Sequence, residues 1–240
     1  MRRFFAENLN TASDAVTLTG DEARHISVVL RMRMGDSVLL ISGSGEEYEA
    51  CITQCSEERV ELRIIEKHLN TAEPPVDITL FQCLPKQGKM EVIIQKCVEL
   101  GIHSIVPTIS KRCIVKIDGK DNKLARWNKV AHEAAKQCGR AFVPVVEAPI
   151  KLSDIRIDDF DVVLLAYENE CDNTLKKVLR RLENIPSSIA VLIGPEGGFE
   201  PIEAQSIIDN GGVSVSLGKR ILRTETAGMA MLAQIVYELE

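Results

Sequence analysis

The chain has 240 residues, 45% of them hydrophobic and 27% charged, and carries a net charge of −6. At about 150 residues per typical domain, this length predicts one small and one larger unit, each with an ordinary core. The longest unbroken apolar run, residues 162–167, is far below the ~20 needed to cross a bilayer; residues 1–8 lack the apolar stretch of a secretory signal, and 4% aromatic content argues against broad stacking platforms for bases.

Seven cysteines, an odd number without any C-x-x-C pair, suggest reduced thiols in a cytoplasmic protein. The four histidines are scattered without ligand-like spacing, so no metal site is expected. The negative net charge hides a basic centre: residues 86–140 hold twelve Lys/Arg against five Asp/Glu, a balance of +7. Such a block suits either a polyanion footprint or two solvated helix faces.

In chain order, the first 72 residues read as mostly β. The run at 38–41 precedes a Ser-Gly-Ser-Gly turn, and Tyr48, Ala50 and Ile52, then Val60, Leu62 and Ile64, alternate with polar neighbours. A period of two predicts half-buried antiparallel strands. One helix is expected over 21–31, with Ile26, Val29 and Leu30 on its buried face. The Pro74-Pro75 pair then marks a boundary, giving units 1–72 and 73–240. Beyond it, strands expected at 76–84, 102–106 (stopped by Pro107), 162–166, 189–193 and 213–217 alternate with helices at 90–100, 122–137, 173–182, 201–209 and 225–239. Short apolar strands between amphipathic helices imply an α/β domain with a parallel sheet covered on both faces.

Ligands bind such sheets beyond the carboxyl ends of their strands. Two strand-to-helix loops stand there. In 193–199 (Ile-Gly-Pro-Glu-Gly-Gly-Phe), missing β-carbons expose main-chain groups, but the spacing is neither a dinucleotide fingerprint nor a P-loop. In 217–227 (Leu-Gly-Lys-Arg-Ile-Leu-Arg-Thr-Glu-Thr-Ala), Thr224 reads as an N-cap and Glu225 as a first-turn carboxylate. Ile221 and Leu222 sit between Arg220 and Arg223, which suits a flat heterocycle beside a polyanion.

These two loops resemble the paired C-terminal signature of the SPOUT-class RNA methyltransferases, and in detail the ribosomal small-subunit RNA methyltransferase E family, which methylates uridine N3. Stretches 25–36, 86–101 and 133–140 match the same family in the same order, so the resemblance covers nearly the whole chain. Glu200 departs from the common Ser/Thr cap, and the last helix has almost no tail.

The resemblance implies a parallel-sheet α/β domain with a trefoil knot, a small N-terminal PUA-like β-barrel that binds RNA, and a homodimer acting on small-subunit ribosomal RNA. It implies S-adenosylmethionine as cofactor, held by Leu165, Ala166, Tyr167, Gly194, Glu196, Gly197, Gly198, Leu217, Gly218, Ile221, Leu222, Thr226 and Ala227. Since uracil N3–H is a weak acid, Arg223 is expected to stabilise the anion and Glu225 to orient or accept the proton. RNA contacts are expected from Arg2, Arg3, Arg24, Arg31 and Arg33 in the small domain, and from Lys86, Lys89, Lys111, Arg112 and Arg140 in the basic block. Ribose 2′-O-methylation and a non-catalytic RNA-binding assembly role are the competing readings.

Overall fold

A computed structural model of the chain describes residues 1–6, 14–43, 45–86, 88–115 and 122–240. It divides into two units, Met1–Glu73 with Ala135–Val143, and Pro74–Ala134 with Pro144–Glu240.

The first unit is a mixed five-stranded sheet: β1 (Arg2–Phe5), β2 (Ala15–Thr19), β3 (Ser37–Ile41), β4 (Glu46–Cys55) and β5 (Arg59–Leu69), in the order β1-β3-β4-β5-β2. The period of two places Tyr48, Ala50 and Ile52 of β4 and Val60 and Leu62 of β5 in one core with Phe4, Leu18, Ile26, Val38 and Leu40. β1 pairs β3 in parallel, and β1 and β2 do not pair with each other among the described residues, so the described strands form a half-barrel. The expected helix over 21–31 is two pieces. α1 (Gly20–Arg24) passes into a π-helical turn, His25–Val29, closed by the Leu30 N–H donating to the His25 carbonyl at 2.9 Å. The wider turn leaves Ile26 buried but brings Val29 out to 67% exposure. Arg31 follows at φ +51°, the one described residue other than glycine with positive φ.

The second unit contains β6 (Asp77–Cys83), α2 (Lys89–Glu99), β7 (Ser104–Ile109), α3 (Lys123–Cys138), β8 (Val145–Val146), β9 (Ile150–Lys151), β10 (Val162–Ala166), α4 (Leu175–Leu179), β11 (Ser188–Ile193), α5 (Pro201–Asp209), β12 (Val213–Val215) and α6 (Thr224–Leu239); the last turn of α3 groups with the first unit. Every pairing in this sheet is parallel, in the order β12-β10-β11-β6-β7-β8, with β9 also on β7. The central strands are buried on both faces, which is why they read as unbroken Val/Ile/Leu runs. Strand β7 runs through Pro107. β8 pairs residues 104 and 105 and β9 pairs 108 and 109, so the proline falls in the gap between two short neighbours, where no N–H is required. Helix α4 is half its expected length. No helix among the described residues is long and apolar enough to cross a membrane.

Strand order sets the location of a site. β10, at the middle of the β12-β10-β11 trio, is followed in the chain by α4, while β11 and β12 lead through loops 194–200 and 216–223 into α5 and α6. All three strands are parallel, so the three loops emerge at one edge.

Candidate functional site

At that edge lies a cleft of about 640 Å³, walled by Ala166–Glu168, Ile193–Phe199 and Val215–Thr224, with Lys89 and Ala227 completing it. The glycine loop is shaped from within. At Gly194 a β-carbon would press to 3.2 Å against both the Gly198 backbone and the buried Phe199 ring. Gly198 has φ +66°, and a β-carbon there would run into the Glu168 carboxylate. The loop is also held from outside. Arg112 donates from Nη1 to the Gly197 carbonyl at 2.7 Å, and the Glu203 carboxylate accepts the Glu200 N–H at 3.0 Å, so Glu200 caps α5 within a capping box.

One cation ties the loops together. Lys89, in the first turn of α2, donates from Nζ to Glu196 and to Glu225, each at 3.2 Å. The Lys86 N–H also donates to Glu196, at 3.0 Å. Burial pushes the Glu196 carboxyl up, but the backbone N–H groups of Lys86 and Glu196 and the Lys89 charge outweigh it, leaving the group below the ordinary carboxylate range. Glu225 is lowered mainly by its own backbone N–H, aided by Lys89 and Arg223. Both carboxylates raise Lys89, so all three groups are charged at neutral pH.

Of the residues expected to hold a cofactor, Ala166, Tyr167, Gly194, Glu196, Gly197, Gly198, Leu217, Gly218, Ile221, Leu222 and Ala227 line the cleft. Leu165 and Thr226 do not. Leu165 is fully buried in the core on one face of the sheet, among Phe81, Val163 and Phe199, and Thr226 is exposed on α6 while Thr224 and Ala227 face inward. Arg223 lines the cleft, and Glu225 meets it through Lys89.

The expected RNA contacts separate. Arg2, Arg24, Arg31, Arg33, Lys86, Lys111 and Arg112 are exposed, and Arg3 is exposed beside Glu47. Lys89 belongs to the cleft wall instead. Arg140 is 3% exposed, with Nε 3.1 Å and Nη2 2.5 Å from Glu73, so it is a structural ion pair and no phosphate contact. Glu168, Phe199 and Thr224 belong to the wall but were not expected there. Thr224 is not the cap of α6; Arg223 holds that position, and the Thr224 hydroxyl donates to the Gly194 carbonyl at 2.6 Å.

A parallel sheet with main-chain loops gathered at its carboxyl edge defines the class. Residues 72–236 match the family model of the RNA methyltransferase domain, and residues 18–65 that of the RNA methyltransferase PUA domain. The chain is 36% identical to ribosomal RNA small subunit methyltransferase E of Bacillus subtilis, covering 100% of this chain and 98% of that protein. With its namesake from Synechocystis the identity is 33%, over 94% of this chain and 74% of the relative. The crystal structure of ribosomal RNA small subunit methyltransferase E from Neisseria gonorrhoeae, bound to S-adenosyl methionine, superposes with a TM-score of 0.82 at 34% identity, covering 98% of this chain and 96% of that one. The chain therefore belongs to the ribosomal RNA small subunit methyltransferase E family.

Proposed function

We propose that this protein is an S-adenosylmethionine-dependent methyltransferase that methylates N3 of a uridine in small-subunit (16S) ribosomal RNA. The observation that carries the reading is the cleft at the carboxyl edge of β10, β11 and β12, whose walls are bent main chain. The residues present fit the cofactor. A β-carbon would be crowded at 194 and set on a left-handed backbone at 198, and Leu217, Ile221 and Leu222 offer apolar surface to a purine. S-adenosylmethionine, when bound, supplies an electrophilic methyl carbon.

The chain's own work is positional and electrostatic. Loops 193–199 and 216–223 hold the donor. Arg223, at the cleft wall, places a cation where the uracil oxygens gain charge as N3 loses its proton. Glu225, paired with Lys89 at 3.2 Å, orients that cation or accepts the N3 proton.

In the same reading, 1–72 is a PUA-like RNA-binding domain and 73–240 the knotted catalytic domain. The exposed arginines at 2, 3, 24, 31 and 33, with Lys86, Lys111 and Arg112, meet phosphates. The enzyme works as a homodimer in the cytoplasm, on ribosomal RNA or the small subunit.

The test is to incubate the protein with methyl-labelled S-adenosylmethionine and undermethylated small ribosomal subunits, then digest the RNA to nucleosides and analyse them by mass spectrometry. Label in 3-methyluridine is expected. Label on a ribose 2′-oxygen, or none, overturns the reading.

A further inference from the structure

One buried polar side chain lies outside the cleft and has no evident place in a hydrophobic sheet. Gln82, near the end of β6, is 0% exposed and sits in register between Ile193 of β11 and Pro107 of β7. Its Nε2 uses both hydrogens, donating to the Thr224 hydroxyl at 2.9 Å and to the Cys83 carbonyl at 3.0 Å. Thr224, 5% exposed, passes the chain on to the Gly194 carbonyl. Only one orientation of the amide satisfies this order: Thr224 spends its proton on Gly194 and must accept from Gln82.

That orientation strands the other end. Gln82 Oε1 is buried without a partner. It points towards α6 at Gly228, where a β-carbon would stand 3.4 Å away, with Leu80 and Ile193 beside the same spot. An unpaired buried carbonyl is costly, and a methionine or leucine would pack there without that cost. The amide is thus retained against local stability, and what it gains is a tie between the two loops of the cleft.

We propose that Gln82 and Thr224 are positioning residues, a buried lock that fixes the start of the glycine loop at Gly194 to the start of α6 and so sets the spacing of the cofactor walls. The inference rests on the cofactor reading above. Gln82 stands behind the cleft and acts through Thr224, which lines the wall, on the Gly194 carbonyl and the Arg223–Glu225 turn. Two loops reached from strands that are not neighbours need such a cross-tie, because β11 and β12 are separated by β10.

The experiment compares the full-length protein with Gln82→Met, Thr224→Val and Thr224→Ser, reading S-adenosylmethionine affinity by calorimetry, thermal midpoint, and amide hydrogen exchange at 194–199 without ligand. Gln82→Met is expected to melt at or above the wild-type temperature while binding S-adenosylmethionine about tenfold more weakly, with faster exchange at 194–199. Thr224→Val is expected to lose about tenfold in affinity, and Thr224→Ser to stay within about twofold of wild type. KM for the donor should rise while KM for RNA is unchanged. A purely structural glutamine would lower the melting temperature and leave exchange at 194–199 no faster than elsewhere; that result overturns the lock, as does unaltered affinity in both Gln82→Met and Thr224→Val. If the wild type binds no S-adenosylmethionine, the functional reading fails. Exchange at 194–199 in the free protein then still decides whether the two loops are tied.

Discussion

Lys89 and Glu225 meet at 3.2 Å although 136 positions separate them in the chain. One begins α2 and the other lies in the first turn of α6, and Glu196 closes the same cation from the glycine loop. Replacing Lys89 by methionine leaves two carboxylates facing each other at the cleft wall. We expect at least a tenfold loss in kcat/KM, largely restored by arginine. The pH profile gives the sign. Glu196 and Glu225 are lowered when folded, so their contribution is complete above the ordinary carboxylate value of 4.5 and is lost as pH falls through their lower folded values. The contribution of these two carboxylates to the thermal midpoint should be level above about pH 5 and fall only in stronger acid. Lys89→Met should begin to fall at higher pH than wild type.

Cys113 should be the reactive thiol. Hydrogen bonds from the Cys83 thiol first, and from the Ser110 hydroxyl and N–H, outweigh its partial burial and bring it down to about 6. Burial pushes Cys97 up to about 12, and Cys83 is likewise raised, by its bond to Cys113 and by burial. Iodoacetamide labelling followed by peptide mass spectrometry is expected to modify Cys113 with a midpoint near pH 6 and to spare Cys83 and Cys97 in the folded protein. A midpoint for Cys113 above pH 8 contradicts this.

The Arg140–Glu73 pair should matter for stability. Arg140 is nearly closed off from water, so Arg140→Met strands a carboxylate in a partly buried site. Urea unfolding is expected to show a loss of about 3 kcal/mol. The slope of RNA affinity against salt should not change, in contrast to the exposed arginines.

Arg31 combines strain with charge. Its φ of +51° is one that glycine adopts freely. Arg31→Gly should hold or raise stability by up to about 1 kcal/mol, yet weaken RNA binding and reduce the log–log salt slope by about 0.7. Fluorescence titrations at several salt concentrations measure the slope. A variant that binds RNA as tightly as wild type removes Arg31 from the interface.

Much of this architecture is written locally. Val162–Ala166 and Pro201–Asp209 fall on the residues expected, because an all-apolar run between breakers and a proline at the first helical position are local signals. What was not legible depends on partners far away in the chain. Pro107 looks like a stop until β8 and β9 are seen to leave it a gap. Val29 looks buried until the helix widens by one residue per turn. Thr224 looks like a cap because its type favours caps, and only the approach of Gly194 and Gln82, which no spacing reveals, gives its hydroxyl another use. The two cleft loops were legible as loops with exposed main chain, but Lys89 reads in sequence as one more member of a basic block.

The wall at 194–198 presents peptide groups, and every residue type carries the same peptide group except proline, here Pro195, which keeps the carbonyl but lacks the N–H. The recognising surface is thus specified by where the chain bends, and mutational drift at most surrounding positions leaves it untouched. A relative sharing about a third of its residues, such as the Bacillus subtilis protein at 36%, can keep an equivalent surface. Inherited change should accordingly be least tolerated where a bend requires an absent side chain, and freest at an exposed position away from the cleft such as Ile202, which is 67% exposed.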